Sequence, residues 1–228
     1  MGEGTIMAKG TGVPKGARAQ VAVAGLTALA LALLAGFVVW RATRPPPLPV
    51  YWFAPAFALV DQGGDTLRSA DLRGRVWLAS FIFTHCTDFC PRVTQEMARL
   101  RDSLRVQGLL GRKVRLVSFS VDPARDTPEV LRAYAANVGG PPPSEWAFLT
   151  GSPPERVLRM IEEGFHLTAR LMPAGPADTI AGYQVMHSMR IALVDQQGRV
   201  RGTYQATEPE AVQRLGADLR RLLKEEGS

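Results

Sequence analysis

Cysteine is scarce in this chain: two residues in 228, Cys86 and Cys90, four positions apart. Two thiols exclude a disulfide-stapled mini-protein and a four-thiolate zinc site. Histidine is nearly as rare, with His85, His166 and His187 the full set. Acidic residues are almost missing from the first 49 positions, where Glu3 stands against Lys9, Lys15, Arg18, Arg41 and Arg44. The other 22 basic and 20 acidic side chains are interspersed over residues 50–228 with no run of five like charges, so most of the formal net charge of +6 belongs to the amino-terminal segment. That distribution excludes a basic stripe for DNA or RNA, and nucleic acid is not an expected partner. An apolar content of 46% excludes wholesale disorder, and 228 residues suit one domain with an appendage.

The appendage explains the charge. Val21–Trp40 reads VAVAGLTALALALLAGFVVW, twenty residues without an ionisable side chain. As a helix it would be about 30 Å long, the hydrocarbon thickness of a bilayer, with Trp40 at the headgroup level. A cleaved signal peptide shares the basic flank, but this run is long for one, and Arg-Ala-Thr-Arg-Pro-Pro-Pro follows instead of a small-x-small cleavage site. The expectation is a single-pass membrane anchor. Lys9, Lys15 and Arg18 before the span outnumber Arg41 and Arg44 after it, which keeps residues 1–20 cytoplasmic and places the large domain outside, on a periplasmic-type face. Residues 41–50, with RPPPLP at 44–49, then form a semi-rigid spacer to a domain over 51–228.

Within that domain short apolar runs alternate with helical patterns. Strands are expected over 57–60, 76–83, 114–121, 146–150, 189–194 and 200–204, the last two forming a hairpin around Asp195-Gln-Gln-Gly198. A helix opened by Pro91 carries Val93, Met97, Leu100 and Leu104 on one face. Thr127-Pro128 opens a second helix, and Ser152-Pro-Pro-Glu155 and Thr207-Glu-Pro-Glu210 read as capping boxes for two more. The last helix aligns Val212, Leu215, Leu219 and Leu222. The order ββαβαβαββα predicts an α/β fold with a mixed sheet.

Both cysteines lie in Phe83-Thr-His-Cys86-Thr-Asp-Phe-Cys90-Pro91, between a buried strand and a helix start. Ligands bind at the carboxyl ends of strands in open α/β sheets, and unpaired amides at a helix start favour thiolate. One helical turn puts both sulfurs on one side, able to chelate a metal ion or to close a disulfide. The plain alternative is two structural cysteines. Two sulfurs suit a soft ion such as Cu(I) with an imidazole as third ligand. His85 adjoins Cys86 but points elsewhere, and His166 has no polar company. His187, just before the hairpin, ranks first because a loop there can fold back over the cysteines. Met186 and Met189 flank it and read as gap-fillers.

With Ser120-Val-Asp122-Pro-Ala-Arg125-Asp126-Thr127-Pro128, Trp146-Ala-Phe-Leu-Thr-Gly151 and His187-Ser, the CxxxCP phrase resembles the Sco/SenC family of membrane-anchored, thioredoxin-like copper chaperones over about residues 53–222. The resemblance implies a thioredoxin-like fold and one copper ion, as Cu(I) or Cu(II), held by Cys86, Cys90 and His187. It implies delivery to the dinuclear copper centre of cytochrome c oxidase subunit II. The alternative is a thiol–disulfide oxidoreductase in which Cys86 and Cys90, as a redox-active pair, reduce that subunit's cysteines before metallation. Other periplasmic copper chaperones or thiol reductases are further expected partners. One departure is Met186, where many relatives carry Asp before the histidine. Asp88 matches the family pattern. Asp122, Arg125 and Asp126 read either as a partner-facing rim or as groups that cap the following helix and pair with one another.

Overall fold

The computed structural model describes residues 15–43, 46–86, 89–167, 170–173, 183–186 and 189–226, with backbone alone for 15–24, 40, 42–43, 89, 170–173 and 183–186. The chain divides into two compact units, residues 1–46 and 47–228.

The first unit holds one helix, α1 (Lys15–Thr43), which covers the apolar run. Leu26, Leu29, Leu31, Leu33, Leu34 and Phe37 all leave at least half of their surface exposed. Among the described residues no helix is long and apolar enough to cross a membrane. The described side chains of α1 run unbroken from 25 to 39, about 22 Å of helix at 1.5 Å per residue.

The second unit is built on β4 (Val76–Ile82), β5 (Val114–Ser120) and β6 (Trp146–Thr150), whose residues are buried throughout. Such continuous burial belongs to parallel strands covered on both faces. The pairing is parallel, with Val76 level with Val114 and Ile82 with Ser120. Helices α2 (Phe89–Val106) and α3 (Pro128–Ala136) make the crossovers from β4 to β5 and from β5 to β6. On the other flank of β4 lie β9 (Arg190–Val194), antiparallel to it, and β10 (Arg199–Gln205). The sheet is completed by β1 (Trp52–Phe53) beside β10, and by β2 (Ala58–Asp61) and β3 (Thr66–Arg68) beside β6. It is an eight-stranded mixed sheet in the order β1-β10-β9-β4-β5-β6-β2-β3. A separate antiparallel ladder joins β7 (Arg170–Pro173) to β8 (Tyr183–Met186), with Arg170 opposite Met186.

Alternation along the strands separates two cores. Val76, Leu78, Ile82, Leu116 and Phe148 face Val93 and Met97 of α2 and Leu215, Leu219 and Leu222 of α5 (Pro209–Glu226). Trp77, Phe81, Phe119 and Leu149 face Val157, Ile161 and Phe165 of α4 (Pro154–Phe165). Phe119 is the hub of the second core, with ring centroids of Phe57, Phe81 and Phe165 at 5.1, 5.8 and 5.4 Å. In the first core two buried serines satisfy each other: Ser80 Oγ and Ser118 Oγ are 2.7 Å apart, and Trp146 Nε1 donates to Ser118 Oγ at 2.9 Å.

Some expectations need correction. Helix α2 begins at Phe89, so Pro91 stands inside its first turn instead of opening it. The Ser152/Glu155 capping box does not form: α4 starts one residue later than that pattern needs, and its N-cap is Pro153, which has no side-chain oxygen to offer. Thr127 does cap α3, accepting from Val130 N at 3.4 Å. On α5 the buried stripe begins at Ala211, with Val212 half-exposed, and Leu100 is likewise half-buried on α2.

At the end of the sheet where β4 begins, Arg201 gathers four groups. It is 5% exposed and donates to Leu48 O at 2.6 Å, Pro49 O at 3.1 Å, Asp195 Oδ2 at 3.0 Å and Glu225 Oε2 at 3.1 Å. The guanidinium thereby fastens the segment entering the domain to the β9–β10 turn and to α5. Removing it takes from the fully buried Asp195 one of its two guanidinium partners, the other being Arg199 Nε at 2.6 Å, and takes the donor from Leu48 O and Pro49 O. Arg201→Ala is expected to cost about 3 kcal/mol, read as a fall in the urea midpoint without a change in slope.

Candidate metal centre

The cysteine segment leaves the sheet at Ile82. Phe83 is half-buried, Thr84 and His85 form a turn, and the Cys86 amide donates back to Phe83 O at 3.3 Å. Helix α2 then carries Cys90 in its first turn, and the Cys90 amide donates to Cys86 Sγ at 3.2 Å. The first-turn amides of a helix lack intrahelical partners, and here one of them is met by a sulfur. The two side chains differ in exposure: Cys90 is fully buried within the first core, while Cys86 is half-buried at its margin. No disulfide joins them.

The Cys90 thiol is pushed far up from its ordinary value. A hydrogen bond with Cys86 is the largest cause, followed by burial and by the charge of Cys86, and a backbone hydrogen bond at Phe83 opposes them. Cys90 therefore holds its proton more tightly than an ordinary cysteine. Cys86, with solvent on one side, is the sulfur that meets an incoming ion or disulfide first. Behind the pair, Tyr134 OH and Thr94 Oγ1 are 2.7 Å apart, and burial, with smaller contributions from both cysteines, pushes the phenol up to about 12. Tyr134 carries no signal in the sequence, because its contact with Thr94 spans 40 residues and leaves no local pattern.

The Asp122/Arg125/Asp126 phrase follows β5 and sits beside the cysteine turn. Asp122 is 2% exposed and Asp126 is fully buried, so these carboxylates are not a partner-facing rim. Arg125 is ion-paired to Asp122. Asp126 accepts from Thr84 Oγ1 and Ser120 Oγ, each at 2.6 Å, and from the Thr84 amide at 3.3 Å. Burial raises the Asp126 carboxyl above its usual range, and the hydrogen bonds from Ser120 and Thr84 pull it partly back. His85 is exposed, and its Nδ1 lies 3.1 Å from Thr84 Oγ1. With the Thr84 proton committed to Asp126, that contact requires the Nδ1–H tautomer.

Ligand-type atoms of His85, Asp122 and Asp126 lie within 4.8 Å of one another. Their donors suit a cation, but Arg125 already neutralises Asp122, and Ser120 and Thr84 occupy Asp126. Of the three, Asp126 fastens the two loops together through Thr84.

Of the expected ligands, the structure brings Cys86 and Cys90 together. His187 and Asp88 lie outside the described residues. The described flank of His187 is informative: β9 runs antiparallel to β4, with Ala192 opposite Ala79, so it begins at the end of the sheet from which the cysteine turn departs. Met189 packs against the core cluster that contains Cys90. His166 is the α4 C-cap at φ 52°, edge-on to Trp52 at 4.7 Å between centroids, and is not gathered into this group.

Comparison with known proteins adds a family. The SCO1/SenC family model matches residues 49–224. A SCO1 protein homolog from Bacillus subtilis is 33% identical over 162 residues, covering 70% of this chain and 77% of its own. The structure of BsSco, a member of the Sco family of cytochrome c oxidase assembly proteins in which a disulfide switch was identified, superposes with a TM-score of 0.63 at 29% identity, covering 78% of this chain and 98% of that one. Bradyrhizobium japonicum ScoI, solved with copper bound, gives a TM-score of 0.57 at 28% identity, covering 75% and 99%. The mixed sheet described above is the thioredoxin-like fold of these structures.

The unequal exposure of the two sulfurs sets an order of reactivity. In the reduced, metal-free protein, Cys86 is expected to be alkylated by iodoacetamide at least about tenfold faster than Cys90, as read by peptide mass spectrometry on a time course. Equal rates would show that the buried thiol is as accessible as the outer one.

Proposed function

The chain belongs to the SCO1/SenC family, and from that premise we propose that it carries one copper ion on Cys86, Cys90 and His187 and passes it to the dinuclear copper centre of cytochrome c oxidase subunit II. Copper binding and oxidase assembly are attributes of the family at the level of its relatives. The observation that carries the reading to this chain is the sulfur pair itself, one turn apart, with the Cys90 amide on Cys86 Sγ and one thiol facing out of the core. Two thiolates and an imidazole make a soft, three-donor set matched to Cu(I). Loading displaces the thiol protons, so the ion's charge replaces protons that burial holds in place. Three donors leave an open edge through which a recipient thiolate can enter, and copper moves by ligand exchange without release. Oxidation of the pair to a disulfide removes both sulfur donors.

His187 is supported as third ligand by its chain neighbours: it lies two residues before Met189, which packs on the core that holds Cys90. Met186, at the end of β8, occupies the position before it, so no carboxylate from that position orients the imidazole.

A second reading draws on the unequal exposure. Cys86 as thiolate attacks one sulfur of a recipient disulfide and expels the other sulfur as thiolate, giving a mixed disulfide. Cys90 then attacks Cys86 Sγ, its proton passing to solvent, and the recipient leaves with both sulfurs reduced while the pair becomes a disulfide. The disulfide switch of BsSco supports this chemistry by likeness.

We read α1 as the element that holds the domain at a membrane surface, because its side chains over residues 25–39 carry no charge and are exposed. A helix of that kind needs an apolar solvent or a covering partner. We take it as a single-pass anchor with the domain on the periplasmic-type side. Reporter fusions on either side of Val21–Trp40 are expected to be active outside only when placed after Trp40.

Titration of the reduced full chain in detergent with Cu(I) is expected to end at one equivalent. Cys86→Ser or Cys90→Ser should abolish binding, and His187→Ala should weaken it at least about tenfold. Wild-type affinity in His187→Ala would sink the ligand assignment. Two mixtures separate the readings: copper transfer from the loaded protein to a reduced, metal-free oxidase copper domain supports the chaperone, whereas reduction of that domain's disulfide by the reduced, copper-free protein, with no copper transfer from the loaded one, supports the oxidoreductase.

A further inference from the structure

We infer that Asp126 is the positioning residue of the copper site, holding the turn that presents Cys86 through Thr84. The inference rests on the metal-carrying reading of Cys86 and Cys90 and concerns how their geometry is kept. The turn 83–86 leaves the end of β4 just past Ile82, whose carbonyl accepts from the Val121 amide at 2.8 Å. It is fixed from the neighbouring strand. Asp126 takes the Thr84 hydroxyl on Oδ1 at 2.6 Å and the Ser120 hydroxyl on Oδ2 at 2.6 Å, and the Thr84 amide reaches both oxygens at 3.3 Å. One fully buried carboxylate thus ties residue 84 of one loop to residue 120 at the end of β5. Ser120 is in turn held in orientation by the Asp122 amide, which donates to its Oγ at 3.0 Å.

A buried carboxylate is costly to keep, and this one is raised by its burial. A loop that needed only to be closed could use a serine or an asparagine. What the carboxylate supplies is two acceptor oxygens in a fixed plane, enough to hold Thr84 by both its amide and its hydroxyl. Thr84 is two residues before Cys86, and the Cys86 amide is tied back to Phe83 O at 3.3 Å, so little freedom remains between the carboxylate and the first sulfur. Cys86 Sγ then sits where the Cys90 amide finds it. Loss of the tie leaves both sulfurs in the chain but lets the outer one wander, which lowers the effective concentration of one sulfur at the other.

The test uses the full chain in detergent, with Cu(I) affinity measured by competition with bicinchoninate. Asp126→Ala is expected to weaken binding at least about tenfold, expressed mainly as faster dissociation. Asp126→Asn keeps one acceptor oxygen for Thr84 but sets an amide N–H where Oδ2 accepts from Ser120, and its affinity is expected to fall between those of wild type and Asp126→Ala. Thr84→Val removes one hydroxyl without disturbing the fold and should lose several-fold. A second readout, independent of copper, is the equilibrium of the Cys86/Cys90 dithiol with glutathione disulfide, in which two thiols of the protein are oxidised as glutathione disulfide is reduced. In Asp126→Ala that equilibrium is expected to move about tenfold toward the protein dithiol, about 30 mV. Arg201→Ala, at the far end of β4, serves as a destabilised control and should leave both quantities unchanged.

Wild-type behaviour of Asp126→Ala in both measurements overturns the inference, and so does an equal effect in Arg201→Ala. A wild-type chain that binds no copper overturns the metal-carrying reading instead, and the glutathione equilibrium alone then decides for or against Asp126.

Discussion

Everything at the candidate site descends from the parallel pairing of β4 with β5. Its register sets Ile82 level with Ser120, so two loops of different origin leave the sheet at the same edge. One carries Cys86 and the other carries Asp126. Neither loop could find the other through local sequence alone, since 42 residues separate Thr84 from the carboxylate it donates to. Parallel strands require crossovers, and here the crossover is α2 itself, so the helix that returns the chain to β5 is also the one whose first turn holds Cys90. The sheet register and the sulfur pair are one constraint seen at two scales.

That constraint forces a compromise at Cys90. The position is part of the core stripe that continues through Val93 and Met97, and it is as buried as they are. A metal ligand must give up its proton, and core burial opposes that. The chain resolves the conflict by dividing the work. Cys86 stands at the margin of the core with solvent on one side, whereas the hydrogen bond with Cys86 and burial hold the proton on Cys90 beneath it. A pair equally exposed would be oxidised or scavenged by any passing metal or disulfide. A pair equally buried would admit neither.

The long strands and helices are legible in the amino-acid sequence for physical reasons that apply residue by residue. VWLASFI is apolar at every position but Ser80, and VRLVSFS carries four apolar residues in seven, because both faces of these strands are covered, and Thr127-Pro128 announces a helix by capping it. What escapes is set by tertiary partners. Strands β1 and β3 span two and three residues, too short for any period to register, and exist because β10 and β2 are there to pair with. The Ser152/Glu155 pattern has the spacing of a capping box, yet Pro153 takes the N-cap. At the site, the two sulfurs are readable from their spacing alone. The Asp126–Thr84–Ser120 tie is not, because it joins a turn, a strand end and a loop that meet only once the sheet has formed.

Asp122 and Asp126, 32 and 36 residues after Cys90 in the chain, both face inward. Charged residues on a loop beside a metal-handling site would ordinarily be assigned to partner contact, and a rim of carboxylates would attract cations without discrimination. Here Asp122 is neutralised by Arg125 and Asp126 is saturated by two hydroxyls and an amide, so neither competes with the sulfurs for an incoming ion. On the proposed copper reading, soft selectivity at Cys86 and Cys90 rests on the hard donors nearby being occupied. The carboxylates contribute by being spoken for: they fix the geometry that a soft ion meets, while their own affinity for hard cations is spent on the protein.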